Sequence, residues 1–247
     1  MIRKIDVGAL RCLGDDYGIK IVGFRNVLFV APHCAEDHEG AVNDLIARIC
    51  AVTGSSAVIN TQIPRRLIDL NNFEEINQVK RGATADFLND LQLQGMQLLR
   101  YYGRVTIVFV HFSPRKYYRM KSLYERNASG KLVKVRAGDL RDFDVDIGCG
   151  LTESGNELIS AKVVNPKRGN GIITCDPTFA ESVKMNFERY DLNVRVGREW
   201  AALRSCNMVQ AMKKRFYSEN IFQLEIVEDV GVSDAVFEAM VGMCLKG

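Results

Sequence analysis

The chain has 247 residues, of which 47% are hydrophobic and 26% are charged, and its formal net charge is +3. This length and this balance predict one globular domain and exclude a low-complexity or strongly charged chain. The weak net charge does not favour nucleic acid or a membrane surface as a partner.

Seven cysteines are spread along the chain, and no two of them form a C-x-x-C pair. An odd number at such spacings favours reduced thiols over disulfides or a thiolate zinc site. The N-terminus lacks the apolar run of a signal peptide, and no stretch has the length needed to span a bilayer. We therefore expect a cytoplasmic protein without a membrane partner, and whether it forms a homo-oligomer stays open.

Short apolar runs alternate with longer segments of helical period, which predicts a single α/β domain over residues 1–247. Strands are predicted at 26–31, 56–60, 105–110, 144–147, 192–196 and 221–227. Helices are predicted around 42–49, 87–103, 177–190, 208–217 and 233–245. Ser233 is the predicted N-cap of the last helix.

The segment at about 113–141 differs from the rest because it is rich in Lys and Arg and holds few acids. Turn residues from Asn127 to Gly130 in its middle predict a hairpin or excursion. A solvated basic hairpin explains this composition. Interleaved tyrosines also fit a lid that attracts an anionic substrate, or a stacking surface for nucleic acid. A non-catalytic module that binds an anion through this segment is therefore one alternative function.

The chain contains only three histidines, and His33 and His111 both follow predicted buried strands. Ligands bind at the carboxyl ends of strands in open α/β sheets, so the two imidazoles are placed for a common site. Glu36 completes an H-x-x-E spacing with His33, and zinc accepts both imidazole nitrogen and carboxylate oxygen. The pattern predicts one zinc ion held by His33, Glu36 and His111, with Asp37 or His38 as alternatives to Glu36. Such an ion lowers the pKa of its water and polarises a carbonyl.

Four other residues are candidates for roles around this site. Glu225 lies among apolar residues of a late predicted strand, where an acid is costly to bury without a partner or a task, so it is the candidate general base. Asp146, or Asp144, could orient a ligand histidine. Cys149 lies between two glycines after a strand, which leaves open a cysteine hydrolase that uses Cys149 with His111 as its base.

Three short motifs occur in an order that resembles the N-formylglutamate amidohydrolase family. They are Ala31-Pro32-His33, Arg65-Arg66-Leu67-Ile68-Asp69-Leu70-Asn71 and Gln223-Leu224-Glu225-Ile226. That family is similar in fold to the zinc carboxypeptidases. The resemblance implies a three-layer α/β fold, in which a mixed, mostly parallel sheet carries helices on both faces.

The resemblance also implies an activity, which is the zinc-dependent cleavage of an amide bond in a small N-acyl amino acid or related carboxylate. His33, Glu36 and His111 would be the zinc ligands and Glu225 the base. Arg65 or Arg66, with Asn71, would bind the substrate carboxylate, because a guanidinium can hold a carboxylate through two parallel hydrogen bonds. A zinc metallopeptidase acting on peptides or cell-wall fragments is the alternative within the same chemistry.

The sequence departs from the family pattern at two places. Around His111 the segment Phe109-Val110-His111-Phe112-Ser113-Pro114 only loosely matches the family's histidine-serine segment, and the second departure follows Asn71. Where the family continues as Asp-Leu-Asn-Arg, this chain has Asp69, Leu70, Asn71 and then Asn72. An arginine of the substrate site is therefore replaced by a neutral side chain.

Overall fold

The computed structural model describes residues 11–36, 40–79, 81–115, 123–126, 129, 131–135, 141–150, 158–160, 172–197, 202, 206–217 and 219–246. Its strands are β1 (Arg11–Asp15), β2 (Gly18–Val22), β3 (Val27–Ala31), β4 (Ser56–Asn60), β5 (Thr106–Ser113), β6 (Leu123–Arg126), β7 (Leu132–Val135), β8 (Val145–Gly148), β9 (Leu158–Ser160), β10 (Val194–Val196) and β11 (Asn220–Val227). Its helices are α1 (Gly40–Thr53), α2 (Phe73–Ile76), α3 (Ala83–Tyr102), α4 (Pro177–Glu188), α5 (Met208–Arg215), α6 (Glu228–Gly231) and α7 (Asp234–Lys246).

Eight strands form one sheet in the order β1-β2-β4-β3-β5-β11-β8-β10. The central strands β4, β3, β5 and β11 run parallel to one another, and β10 runs parallel to β8. The strand β8 is antiparallel to β11, and the hairpin β1–β2 adds two antiparallel strands beside β4. The strands predicted from apolar runs all lie in this mixed, mostly parallel sheet.

Helices cover both faces of the sheet. One hydrophobic cluster joins Phe29, Val110 and Leu224 to α1, α4 and α7, and a second joins Leu28 and Phe109 to α3 and α5. Neighbouring strand residues belong to different clusters because successive side chains point to opposite faces. The predicted three-layer α/β fold is confirmed. No helix in the described ranges is long and apolar enough to cross a membrane.

The strand β5 continues three residues beyond its predicted end. Phe112 is buried in the first cluster, and Ser113 is still paired with Val227 of β11. His111 therefore lies inside a strand rather than after one. At the last helix, Ser233 Oγ accepts a hydrogen bond from Val236 N at 3.3 Å, which confirms the predicted N-cap.

The basic segment forms part of a second, smaller sheet with the order β7-β6-β9. The strands β6 and β7 pair antiparallel, with Leu123 opposite Val135, so the hairpin predicted around the Asn127–Gly130 turn is confirmed. The tyrosines expected to interleave with the charges include Tyr117 and Tyr118, which lie outside the described residues.

Candidate functional site

His33 and His111 lie side by side at the carboxyl edge of the parallel strands. His33 is in the turn that follows β3, and His111 is near the end of β5, which pairs with β3. Their ring centroids are 5.0 Å apart with an interplanar angle of 49°. Both rings are almost completely buried, at 2% and 3% exposure. Two imidazoles separated by nearly eighty positions in the sequence thus converge on one place, as the strand pattern predicted.

Asp69 determines which nitrogen of His33 can bind a ligand. The distance between His33 Nε2 and Asp69 Oδ1 is 2.8 Å, and Asn71 N donates to the same oxygen at 2.9 Å. Burial favours a higher pKa for the Asp69 carboxyl, but the bond from His33 and the charges of His33 and Arg65 outweigh it, so that pKa lies well below its usual range. When the imidazolium of His33 loses a proton, the ionised Asp69 keeps the remaining hydrogen on Nε2, so Nδ1 is the nitrogen of neutral His33 that could bind a metal.

Glu36 lies on the same turn as His33, because Glu36 N donates to His33 O at 2.9 Å. Its carboxylate Oε1 accepts a hydrogen bond from Arg65 N at 2.5 Å. The Arg65 guanidinium binds Asp69 Oδ2 through Nε at 3.2 Å and through a terminal nitrogen at 3.0 Å. Arg65 is thus engaged in holding the acid that orients His33. Glu36 as a metal ligand stays a prediction, and its alternatives Asp37 and His38 lie outside the described residues.

Glu225 occupies the strand next to His111. In the β5–β11 pair Glu225 is opposite His111, and in the β11–β8 pair it is opposite Asp146. Paired residues of neighbouring strands share a face, so the three side chains form one row across the sheet. Glu225 is 5% exposed and Asp146 is fully buried. The predicted base Glu225 therefore lies beside the predicted ligand His111. Asp146 lies beside Glu225, one strand further from His111.

The loop between β4 and α2 carries the remaining predicted residues. Arg66 is exposed, and Asn71 is partly buried with its Oδ1 atom accepting no hydrogen bond from the described residues. The loop is fastened to the His33 turn by Asn60, which is fully buried. Asn60 Nδ2 donates to the carbonyl oxygens of Pro32 and Ile63, both at 2.7 Å. Asn60 therefore joins the residue before His33 to the loop that carries Asp69.

Cys149 lies on the other side of the sheet from the histidines. It belongs to the cluster that contains Val110 and Phe112, the neighbours of His111 in β5. Because side chains alternate along a strand, His111 points away from that cluster. The sheet separates the two residues, so the geometry does not favour a cysteine hydrolase built on Cys149 and His111.

Three polar residues around the site had no role assigned in the sequence analysis. They are Asn60, Asp69 and Gln223, and Gln223 Nε2 donates to Glu225 Oε2 at 3.1 Å. A signal existed for one of them, because Gln223 is two residues before Glu225, a spacing that shares a strand face. Asp69 lies in a loop, where its four-residue spacing from Arg65 predicts no ion pair. No sequence pattern connects Asn60 to Pro32.

The donor types at this edge suit zinc, which binds imidazole and carboxylate groups. Among the residues that the structure describes, no group of three or more His, Cys, Asp or Glu is arranged to hold a metal ion. Three features of these residues are nevertheless compatible with a metal ion. They are the adjacent imidazoles of His33 and His111, the hydrogen bond from His33 to Asp69, and the position of Glu36 at the end of the His33 turn.

Comparison with solved structures identifies the fold. The N-formylglutamate amidohydrolase from Ralstonia eutropha JMP134 superposes with a TM-score of 0.55 over 91% of this chain and 93% of that chain, at 12% identity. The gene product Atu2144 from Agrobacterium tumefaciens superposes with a TM-score of 0.50 over 97% and 94% of the two chains, at 13% identity. No protein-family model matches the sequence, and no curated protein matches it. At such identities the likeness shows a shared fold, so this chain is similar in fold to an N-formylglutamate amidohydrolase.

Proposed function

We propose that this protein is a zinc-dependent amidohydrolase that cleaves an amide bond in a small N-acyl amino acid or a related carboxylate. The observation that carries the proposal is the adjacency of His33 and His111, whose ring centroids are 5.0 Å apart, with the buried acid Glu225 in register with His111. The fold shared with an N-formylglutamate amidohydrolase supports the same class of reaction.

In this proposal His33, through Nδ1, and His111 would hold the ion together with Glu36. When bound, the metal supplies Lewis acidity for the scissile carbonyl and lowers the pKa of water. Glu225 removes a proton from the attacking water and delivers it to the leaving nitrogen. The water oxygen first forms a C–O bond to the carbonyl carbon, and the C–N bond then breaks as the nitrogen takes up the proton, so the products are a carboxylate and an amine.

Two residues of the loop after β4 would bind the substrate carboxylate and amide. Arg66 is exposed, whereas the Arg65 guanidinium is bound to Asp69, so Arg66 is the better candidate for the carboxylate. The Asn71 Oδ1 atom, which is buried and accepts no hydrogen bond from the described residues, can accept one from a substrate N–H. The neutral Asn72 reduces the positive charge of this loop relative to the family pattern.

The experiment that tests the proposal replaces Glu225 by Gln. Zinc analysis of the wild type and of E225Q should give about one ion per chain in both, because Glu225 is not a ligand. A screen of N-acyl amino acids should find turnover in the wild type and a loss of at least about a thousandfold in E225Q, since base catalysis and carboxylate charge are both removed. Full activity in E225Q would remove Glu225 from the mechanism. Absence of turnover on every N-acyl amino acid in a zinc-loaded wild type would reject the proposed substrate class.

A further inference from the structure

Gln223 is a buried polar residue in the middle of the central strand β11. It is 3% exposed, and its neighbours Phe222 and Leu224 are completely buried. A buried carboxamide costs free energy unless it is hydrogen-bonded, and an apolar residue at this position would avoid that cost. The Gln223 amide is therefore expected to form a hydrogen bond with a group on its own face of the sheet.

That partner is Glu225. The two side chains share a face because they are two positions apart in a strand, and Gln223 Nε2 donates to Glu225 Oε2 at 3.1 Å. In the sheet Gln223 lies opposite Phe109 on one side and Gly148 on the other. Neither of these residues has a side chain that can form a conventional hydrogen bond, so neither competes for the amide.

The bond has a direction that follows from charge. A carboxylate accepts and cannot donate, so the NH₂ end of the amide must face Glu225 and the carbonyl end must face away. Consistent with this, Gln223 Oε1 is buried and accepts no hydrogen bond from the described residues. Within the described part of the chain, the hydrogen bond of the amide is the one to Glu225, and it restrains one oxygen of that carboxylate.

We propose that Gln223 is the positioning residue of Glu225, holding the carboxylate in the orientation from which it exchanges protons with water and with the leaving nitrogen. This inference rests on the proposed function, in which Glu225 is the base. In this role Gln223 acts on turnover through Glu225, so its removal is expected to change kcat and leave KM unchanged. Removal of a supporting hydrogen bond of this kind commonly costs about 10- to 100-fold in activity.

A double-mutant cycle on kcat separates this role from a structural one. The variants are Gln223→Met, which keeps the side-chain length and loses the donor, Glu225→Gln, and the combination of the two. We expect Q223M to lower kcat by about 10- to 100-fold with KM and zinc content unchanged. In the E225Q background the same change should alter the residual rate by less than about twofold, because no carboxylate is left to position.

Two further variants complete the experiment. Gln94→Met is the matched control, since Gln94 is a buried glutamine of α3 whose amide forms no hydrogen bond with the described residues, and it should leave kcat unchanged. If Q223M does not fold, Gln223→Leu replaces it, because this variant has a similar volume, removes the donor without adding a charge beside Glu225 and should show the same loss of kcat.

Each outcome has one meaning. Equal losses of kcat in the wild-type and E225Q backgrounds, or unchanged kcat in folded Q223M or Q223L, overturn the role of Gln223 while E225Q still tests the base. Full activity in E225Q alone overturns the proposed mechanism, and the inference fails with it.

Discussion

Arg115 binds together the loops that leave the sheet at the candidate site. Its Nε and one terminal nitrogen bind the two oxygens of Asp229 at 2.8 and 2.9 Å. The same terminal nitrogen binds Asp144 Oδ1 at 2.7 Å, and the other binds the carbonyl oxygens of Phe143 at 2.9 Å and Arg141 at 3.3 Å. These partners follow β11 or precede β8, so one guanidinium fastens the chain segments on either side of the basic hairpin. We predict that Arg115→Met destabilises the protein measurably.

The expected loss of stability follows from how exposed the side chains of each ion pair are. The Arg115 side chain is 29% exposed, Asp144 is 19% exposed, and Asp229 is 52% exposed. The Asp229 pair therefore counts as a surface ion pair of about 0.5 kcal/mol. The bonds to Asp144 and Phe143 are better shielded and contribute about 1 kcal/mol each. The expected loss is about 2–3 kcal/mol, or roughly 5–10 °C in Tm for a domain of this size.

Urea unfolding followed by circular dichroism measures this loss, with Lys184→Met as the control. Lys184 Nζ lies 3.8 Å from the exposed Glu188 carboxylate on α4, a surface ion pair whose loss should cost less than about 0.5 kcal/mol. A free energy of unfolding for R115M within about 0.5 kcal/mol of the wild type would refute the role given to Arg115.

The difference in stability between wild type and R115M is also expected to depend on pH. The hydrogen bond from Arg115 lowers the pKa of the Asp229 carboxyl against a smaller opposing effect of burial. A carboxyl whose folded-state pKa is lowered adds stability above its unfolded-state pKa, near 4, and loses it as the pH falls through the folded-state value. The difference in stability between wild type and R115M should therefore shrink as the pH is lowered from 7 to below about 4. A difference that grows over this range would contradict the assignment.

Three further predictions concern packing, positioning and thiol reactivity. A Cβ on Gly95 would lie 2.8 Å from the Phe216 ring, so Gly95→Ala should destabilise by about 1–3 kcal/mol in urea unfolding despite the helix propensity of Ala; a more stable variant would contradict this packing. Replacing Asn60 by Ala should lower kcat and zinc affinity together, because the His33 turn loses its connection to the Asp69 loop; unchanged zinc affinity would show that the connection is dispensable. Burial raises the pKa of the Cys244 thiol to about 11. Iodoacetamide at pH 8 should therefore modify the partly exposed Cys206 and leave Cys244 unmodified until the protein is unfolded. Equal rates of alkylation at the two cysteines would argue against this burial.

The central strands were predictable because they are buried on both faces. In β3, β5 and β11 almost every residue is buried and most are apolar, and such runs stand out in the sequence. The convergence of His33 and His111 followed from that pattern, since neighbouring parallel strands end at one edge. The hairpin β1–β2 had no comparable signal, because its strands lie at the sheet edge and the burial pattern of β2 is mixed.

The loop hydrogen bonds around His33 could not be predicted from the sequence, for a different reason. His33 and Asp69 are 36 positions apart, and their contact depends on the path of a loop that no hydrophobic period describes. The same loop pairs Arg65 with Asp69, which removes it from the most direct substrate role. Periodicity locates side chains on regular elements, whereas loop contacts depend on individual hydrogen bonds such as those of Asn60.

The position of a bound metal ion tests the proposed site between His33 and His111. Crystals grown with zinc and measured on both sides of the zinc absorption edge would locate the ion by its anomalous signal. We predict one strong peak between His33 and His111, from an ion bound to Nδ1 of His33, and loss of that peak in His33→Ala. A zinc-loaded crystal with no peak between these two imidazoles, or with its peak elsewhere on the chain, would contradict the central claim.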